Sequence, residues 1–280
     1  MKKKYIIAAA LTVAIIMNLF MLLYPSVSNY VNSHNQSRAV AVYINDVKIM
    51  DNAKAQALFD AALEYNKNLR GKADRFKFTK EETAEYDELL NTGLGVMGIL
   101  IVEKINVNLP IYHGTNEGVL QVGLGHLQGS SLPVGGTGTH SLIIGHRGLP
   151  SSKLLRNLNE MAEGDIFILH ILNETLTYQV DQILVVEPDN VTSLYIDIDM
   201  DYCTLVTCTP YGINTHRLMV RGRRTDNAVY SGIETIYAGA RELDKLFIIL
   251  IFIILSVPVL LIITALTVKK IHSHNIWFVN

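Results

Sequence analysis

Residues 202–224 read YCTLVTCTPYGINTHRLMVRGRR and hold both cysteines of the chain, Cys203 and Cys208. Two apolar, β-branched runs flank the turn signal Pro210-Tyr211-Gly212, the pattern of two strands joined by a loop. In an extended strand, positions five apart are separated by roughly 16 Å, at about 3.3 Å per residue. A disulfide needs Cα atoms about 4.4–6.8 Å apart, and odd spacing sends the two side chains to opposite faces. The segment matches no CxxC or HExxH metal spacing either. Cys208, where the first run meets the turn, is placed like a reactive group, fixed by a strand and reached from a loop. Cys203, inside the run, reads as core. These residues alone leave open a second reading, in which both are buried structural thiols.

Over its 280 residues the chain is 49% hydrophobic and 18% charged, against about 25% charged in soluble domains. Two apolar runs account for much of the excess. Residues 5–24 carry no charge, nor do residues 246–268, and about 20 apolar residues suffice to cross a bilayer. Lys2, Lys3 and Lys4 precede the first run, and Lys269 and Lys270 follow the second. The positive-inside rule then makes residues 1–4 and the tail 269–280 cytoplasmic and puts 25–245 on the outer face of the plasma membrane. The first run exceeds a signal-peptide core in length, although Ser26-Val27-Ser28 offers small residues for cleavage. The net charge of −2 gives no pull toward nucleic acid.

Between the spans, residues 25–38 are polar and read as a spacer. Residues 39–69 read as helix, 70–78 (RGKADRFKF) as a break, and Thr79 with Glu82 as a capping box opening a helix from Lys80 to about Asn91. The helical region thus covers 39–95. From 96 to 225 the texture is of short β-branched segments between Gly, Pro and Asn turns, an all-β barrel or sandwich. Within it a helix is expected over 151–161. Residues 226–245 read as a tether to the second span.

A thiol nucleophile needs a proton carrier. Among nine histidines, His140 and His146 flank SLIIG in GGTGTHSLIIGHRGLP. His146, between Gly145 and the Arg147-Gly148 turn, is the better placed; His140 could be a satisfied structural histidine. His216 neighbours Arg217 and so points to the opposite face. Arg217 follows Cys208 across the turn, so a hairpin would bring them close. Its guanidinium cannot shuttle protons but donates to a carbonyl or oxyanion. The bland alternative is a solvated strand arginine.

At these residues the chain resembles the sortases, specifically the class C, pilus-assembling sortases of Gram-positive bacteria. TLVTCTPYGINTHRLMVRGRR resembles the family's TLxTC segment and the arginine strand after it, THSLIIGHRGLP its histidine segment, and LPIYHGTNEGVLQVGLGHLQGSSLPVGG the approach to it. The resemblance implies an eight-stranded sortase β-barrel with Cys208 as nucleophile, His146 as general acid/base and Arg217 as the substrate-positioning donor. It implies a cysteine transpeptidase that cleaves an LPxTG-like sorting motif, forms a thioacyl enzyme and needs no organic cofactor. Its partners would be pilin subunits and the cell-wall precursor. A second, C-terminal span is also a class C trait. Class C enzymes often carry a lid, Asp-Pro-aromatic, ahead of the barrel. Here Asp74 and Phe76 keep that spacing within 70–79, but Arg75 stands for the proline; a closed lid would set Phe76 over Cys208 and pair Asp74 with Arg217. Without proline the lid is expected to be looser, or absent as a functional element; the alternative is an ordinary interhelical loop with Phe76 and Phe78 packed on the barrel wall. The rival readings are a housekeeping sortase that anchors proteins to the wall and a non-catalytic, membrane-tethered adhesion module. A papain-like peptidase lacks its CGSCW signature here.

Overall fold

The structure, a computed structural model, describes residues 2–227 apart from 73, 94, 150, 151 and 191–193. The second apolar run, the tail expected to be cytoplasmic and nearly all of the expected tether lie outside the described residues. Eight strands are formed: β1 (Val96–Val102), β2 (Val107–His113), β3 (Leu124–His126), β4 (Thr139–Ile144), β5 (Ile166–Ile171), β6 (Glu174–Val186), β7 (Asp201–Thr209) and β8 (His216–Arg224). They close into a barrel in the order β1-β2-β3-β4-β7-β8-β6-β5. The pairs β2/β3 and β4/β7 are parallel and the rest antiparallel. The expected barrel is therefore present, and closure leaves no free sheet edge.

Every residue of β1 is buried, because one face lines the barrel and the other lies under a helix. A strand covered on both faces reads as continuous apolar sequence rather than alternation, and VMGILIV does. The covering helix is α1 (Lys2–Ile49), 48 residues long. Its Tyr43 is 1% exposed and donates to Met97 O at 3.2 Å while accepting from Leu172 N at 2.8 Å. Across the barrel, Gly222 of β8 is required by packing: a Cβ there would stand 2.5 Å from the Phe167 ring, which stacks on Tyr178 at 5.5 Å.

The helical region differs from the sequence expectation in three places. Residues 25–37, polar in composition, are helical and continuous with the apolar run, and Pro25 lies inside α1. From Val13 onward, part of α1 is long and apolar enough to cross a membrane, and none of that stretch is buried in the protein. The helix then ends at Ile49, and a new one, α2 (Asn52–Leu69), starts where Asp51 turns extended and its side chain accepts from Ala53 N at 2.7 Å. An aspartate N-cap of this kind satisfies an otherwise orphaned N–H. Third, α3 (Lys80–Glu88) opens with the expected capping box, Thr79 and Glu82 bonding each other's backbone, but it stops short of Asn91.

The helix expected over 151–161 is reduced to a single 3-10 turn, Leu158–Glu160. A short helix that was not expected, α4 (Glu117–Val122), follows β2. Asn116 caps it, accepting from Val119 N at 3.1 Å.

Candidate active site

Strand β7 runs parallel to β4, with Ile144 opposite Val206, and Gly145 N continues the ladder to Val206 O at 3.0 Å. Two residues beyond that pair come His146, in the loop that leaves β4, and Cys208, near the end of β7, so the parallel register brings both to the same end of the barrel. Gly145 is tightly enclosed: a Cβ would lie 2.5 Å from Leu124 and 3.0 Å from Leu155. On the other side of β7, Cys208 is the direct partner of Arg217 in the antiparallel ladder with β8. The Arg217 guanidinium is held by Asn214 O at 3.3 Å and His216 O at 3.2 Å. Among the described residues it has no carboxylate partner. The three expected residues therefore meet at one end of the barrel.

The two cysteines separate as their spacing predicts. Both are free thiols. Cys203 is fully buried, faces Gly222 across the ladder, and burial pushes its thiol well above the ordinary range, which suits packing and not chemistry. Cys208 is half-buried. The histidines separate too. His140 is 1% exposed; its Nδ1 donates to Tyr195 O at 2.8 Å and its Nε2 accepts from Thr204 Oγ1 at 2.7 Å. Burial lowers its pKa to about 4, leaving a neutral structural histidine. His216 turns to Glu187, 3.3 Å away. His126 is also buried and lowered to about 4, bonded to Tyr86 and Ser131; it ties α3 to the barrel.

Side chains alternate along a strand, so Cys208 shares its face of β7 with Val206, and Arg217 its face of β8 with Met219. Val206, Met219 and Leu142 of β4 form a separate apolar cluster, bordered by Leu127, Ile144, Leu184, Val186 and Leu194. The candidate catalytic residues thus stand at the end of an apolar floor.

The segment expected as a lid is arranged differently from that expectation. Asp74 pairs with Lys77 at 3.3 Å, in place of an ion pair with Arg217. Phe76 packs on Gly129, whose φ of +90° and lack of a Cβ admit the contact, and it is capped by the Arg75 guanidinium, 4.7 Å from the ring centroid. Arg75 is not a loosening residue here. It donates to Gly129 O at 3.3 Å and to Leu194 O, bridging two loops whose leucines, Leu127 and Leu194, border the apolar floor.

Sequence reasoning missed two sets of contacts. Glu117 of α4 lies 3.7 Å from His146 Nε2; the asparagine before it was a usable N-cap signal, but nothing local ties it to His146. The clasp made by Arg75 depends on loop carbonyls that no sequence pattern reports.

A family model described as Sortase domain matches residues 100–225. Sortase C1 of Streptococcus agalactiae is 49% identical and superposes with a TM-score of 0.65, over 68% of this chain and 100% of that one. The chain belongs to the sortase family. Its structural relatives include class C sortases. The sortase C of Streptococcus pneumoniae, whose crystal structure bears on catalysis and pilin substrate specificity, is 41% identical with a TM-score of 0.63, over 68% and 97% of the two chains. A Clostridium perfringens sortase C, solved with the C-terminal cell wall sorting motif, is 40% identical with a TM-score of 0.61, over 68% and 99%. Sortase D of Bacillus subtilis (strain 168) is 28% identical over 130 residues, 45% of this chain and 63% of that protein.

Proposed function

We propose that this sortase is a membrane-bound cysteine transpeptidase of pilus assembly, with Cys208, His146 and Arg217 as its catalytic set. The observation that carries the reading is their placement: Arg217 faces Cys208 across one ladder, and His146 leaves the strand paired on the other side of β7 just past the Ile144–Val206 pair, at the end of an apolar floor. That floor suits the Leu-Pro side chains of an LPxTG-like motif.

The Cys208 thiol passes its proton to His146 as its sulfur attacks the carbonyl carbon of the scissile peptide; a C–S bond forms and the carbonyl electrons move to oxygen. Arg217 donates to that oxygen, a charge-assisted bond that is stronger than a neutral one. The tetrahedral centre collapses, the C–N bond breaks, and His146 gives its proton to the leaving amine. A second amine, a lysine of the next pilin, then attacks the thioester. Its excess proton returns to His146, an amide C–N bond forms, and the C–S bond breaks to release Cys208.

Residues 70–79 would act as a lid over the apolar floor, held by Arg75. The apolar part of α1 would anchor the enzyme, with the barrel on the outer face of the plasma membrane. The test is to incubate the enzyme with a sorting-signal peptide and weigh it by mass spectrometry. A thioester adduct on Cys208, resolved by a pilin lysine peptide in preference to a cell-wall precursor amine, is the expected result. Preference for the precursor amine would make it an anchoring sortase, and the absence of any adduct would sink the reading.

A further inference from the structure

His146 presents two nitrogens, and their surroundings differ. Nε2 is buried and, among the described residues, has no hydrogen-bond partner. Glu117 Oε1 lies 3.7 Å from it, just beyond hydrogen-bond reach. Nδ1 is thereby left for traffic with the Cys208 thiol and the substrate amine.

The carboxylate is held in this position. Glu117 Oε1 accepts from Gln121 Nε2 at 2.7 Å, one helical turn on. Helix α4, which carries both, is capped by Asn116 at its start. At its end, Gly123 fits where a Cβ would lie 2.7 Å from Tyr112. One buried side chain of α1 fixes α4 relative to the histidine loop. Gln36 Nε2 donates both to Val122 O at 3.0 Å and to Ser152 Oγ at 3.1 Å, so the end of α4 and the loop following His146 are tied to the same atom. Other charged groups at this end of the barrel include two arginines, Arg217 on β8 and Arg147, whose Nη1 bonds Thr209 Oγ1 at 2.6 Å, while the carboxylate of Glu187 is turned to His216 at 3.3 Å. An imidazolium formed at His146 would meet the like charges of the two arginines, and Glu117 is the opposite charge beside it.

We propose that Glu117 is a positioning residue for His146: its carboxylate fixes the imidazole with Nδ1 toward Cys208 and stabilises the imidazolium through the reaction. This rests on His146 being the acid–base group of the reading above. Contacts of this kind are often long without substrate and tighten in the reacting complex. Glu117 is 68% exposed, so the variant Glu117→Gln keeps the fold, and the effect is that of a screened ion pair rather than of the acid–base group itself.

The experiment measures kcat and KM for sorting-peptide cleavage with the full chain, at low and high salt. Glu117→Gln is expected to lower kcat about fivefold, the upper end for an exposed pair, with KM unchanged. Glu117→Asp should recover part of the loss. Raising the salt should bring the wild type toward the Gln variant and leave that variant unaffected, because screening acts only where the charge is present. A Gln variant with wild-type kcat overturns the proposal. So does a loss that ignores salt and that Asp does not relieve, which would mark a packing role. Cys208→Ala runs alongside: if the wild type cleaves and Cys208→Ala does not, the catalytic reading stands whatever Glu117 does.

Discussion

Cys208 and Arg217 stand directly opposite each other in the antiparallel ladder of β7 and β8. Their separation is therefore set by backbone hydrogen bonds rather than by loop conformation, and the pairing fixes where a carbonyl oxygen can receive a guanidinium bond while sulfur attacks its carbon. Arg217→Lys is expected to fail almost as completely as Arg217→Ala, since an ammonium is a point charge without the planar fork of donors. Steady-state cleavage of a sorting peptide checks this; a lysine variant within a few-fold of wild type would show that charge alone suffices.

The same ladder separates the cysteines. Cys208→Ala should abolish thioester formation. Cys203→Ala removes a buried sulfur facing Gly222 and should cost about 1 kcal/mol of stability with activity retained. Urea unfolding and acyl-enzyme trapping on both variants measure the two effects apart. Equal loss of chemistry in two folded variants would refute the assignment.

The two histidines of the SLIIG segment should respond differently to alanine. His146→Ala removes the proposed proton carrier, with an expected loss of about 10²–10⁴-fold in rate. His140→Ala breaks bonds to Tyr195 O and Thr204 and should lower the melting temperature while the folded fraction stays active. Activity corrected for the folded fraction decides; an inactive, folded His140→Ala beside an active His146→Ala reverses the roles.

Buried neutral histidines also set an acid limit on stability. His126 and His140 are both lowered to about 4 by burial, against about 6.5 unfolded. Between those values the unfolded chain binds more protons, so stability is fully present above about pH 6.5 and is lost as pH falls toward about 4. The size is of order 3 kcal/mol for each histidine, by the linkage of about 1.4 kcal/mol per pKa unit. Urea titrations at stepped pH should show the midpoint falling through this window, with a shallower fall in a folded His140→Gln variant. A midpoint flat from pH 6.5 to 4 would contradict it.

How much of this was legible in the sequence follows from which interactions are local. Alternation and turn residues marked most strands, Thr79 and Glu82 marked a cap, and odd spacing separated Cys203 from Cys208. The three residues of β3 are too few to show a period; they form a strand by pairing with β2 and β4. The polar stretch 25–37 is helical within α1, where Gln36 bonds the barrel. Asp51 was a readable N-cap in a stretch that composition alone made one helix. Glu117 and His146 share no local pattern, and the barrel alone brings them together.

Arg75 takes the place of a proline that would have stiffened the 70–79 segment, and the expectation of looseness reverses once its bonds are known. A proline restricts the unfolded chain. Arg75 acts on the folded side, with its guanidinium against Phe76 and donors to Gly129 O and Leu194 O. The seat for this segment is Gly129, where a Cβ would come within 2.1 Å of Arg75 O and 2.8 Å of the Phe76 ring. Two substitutions on different chains of contact should then have one effect. Arg75→Ala removes the clasp and Gly129→Ala removes the seat, and each should speed modification of Cys208 by a charged thiol reagent. Asp74→Ala, whose ion pair is with exposed Lys77, should change the rate little. A segment released by either variant should also lower KM for the sorting peptide, because less of the enzyme is closed. If both variants react at the wild-type rate while circular dichroism shows the barrel intact, residues 70–79 do not guard Cys208.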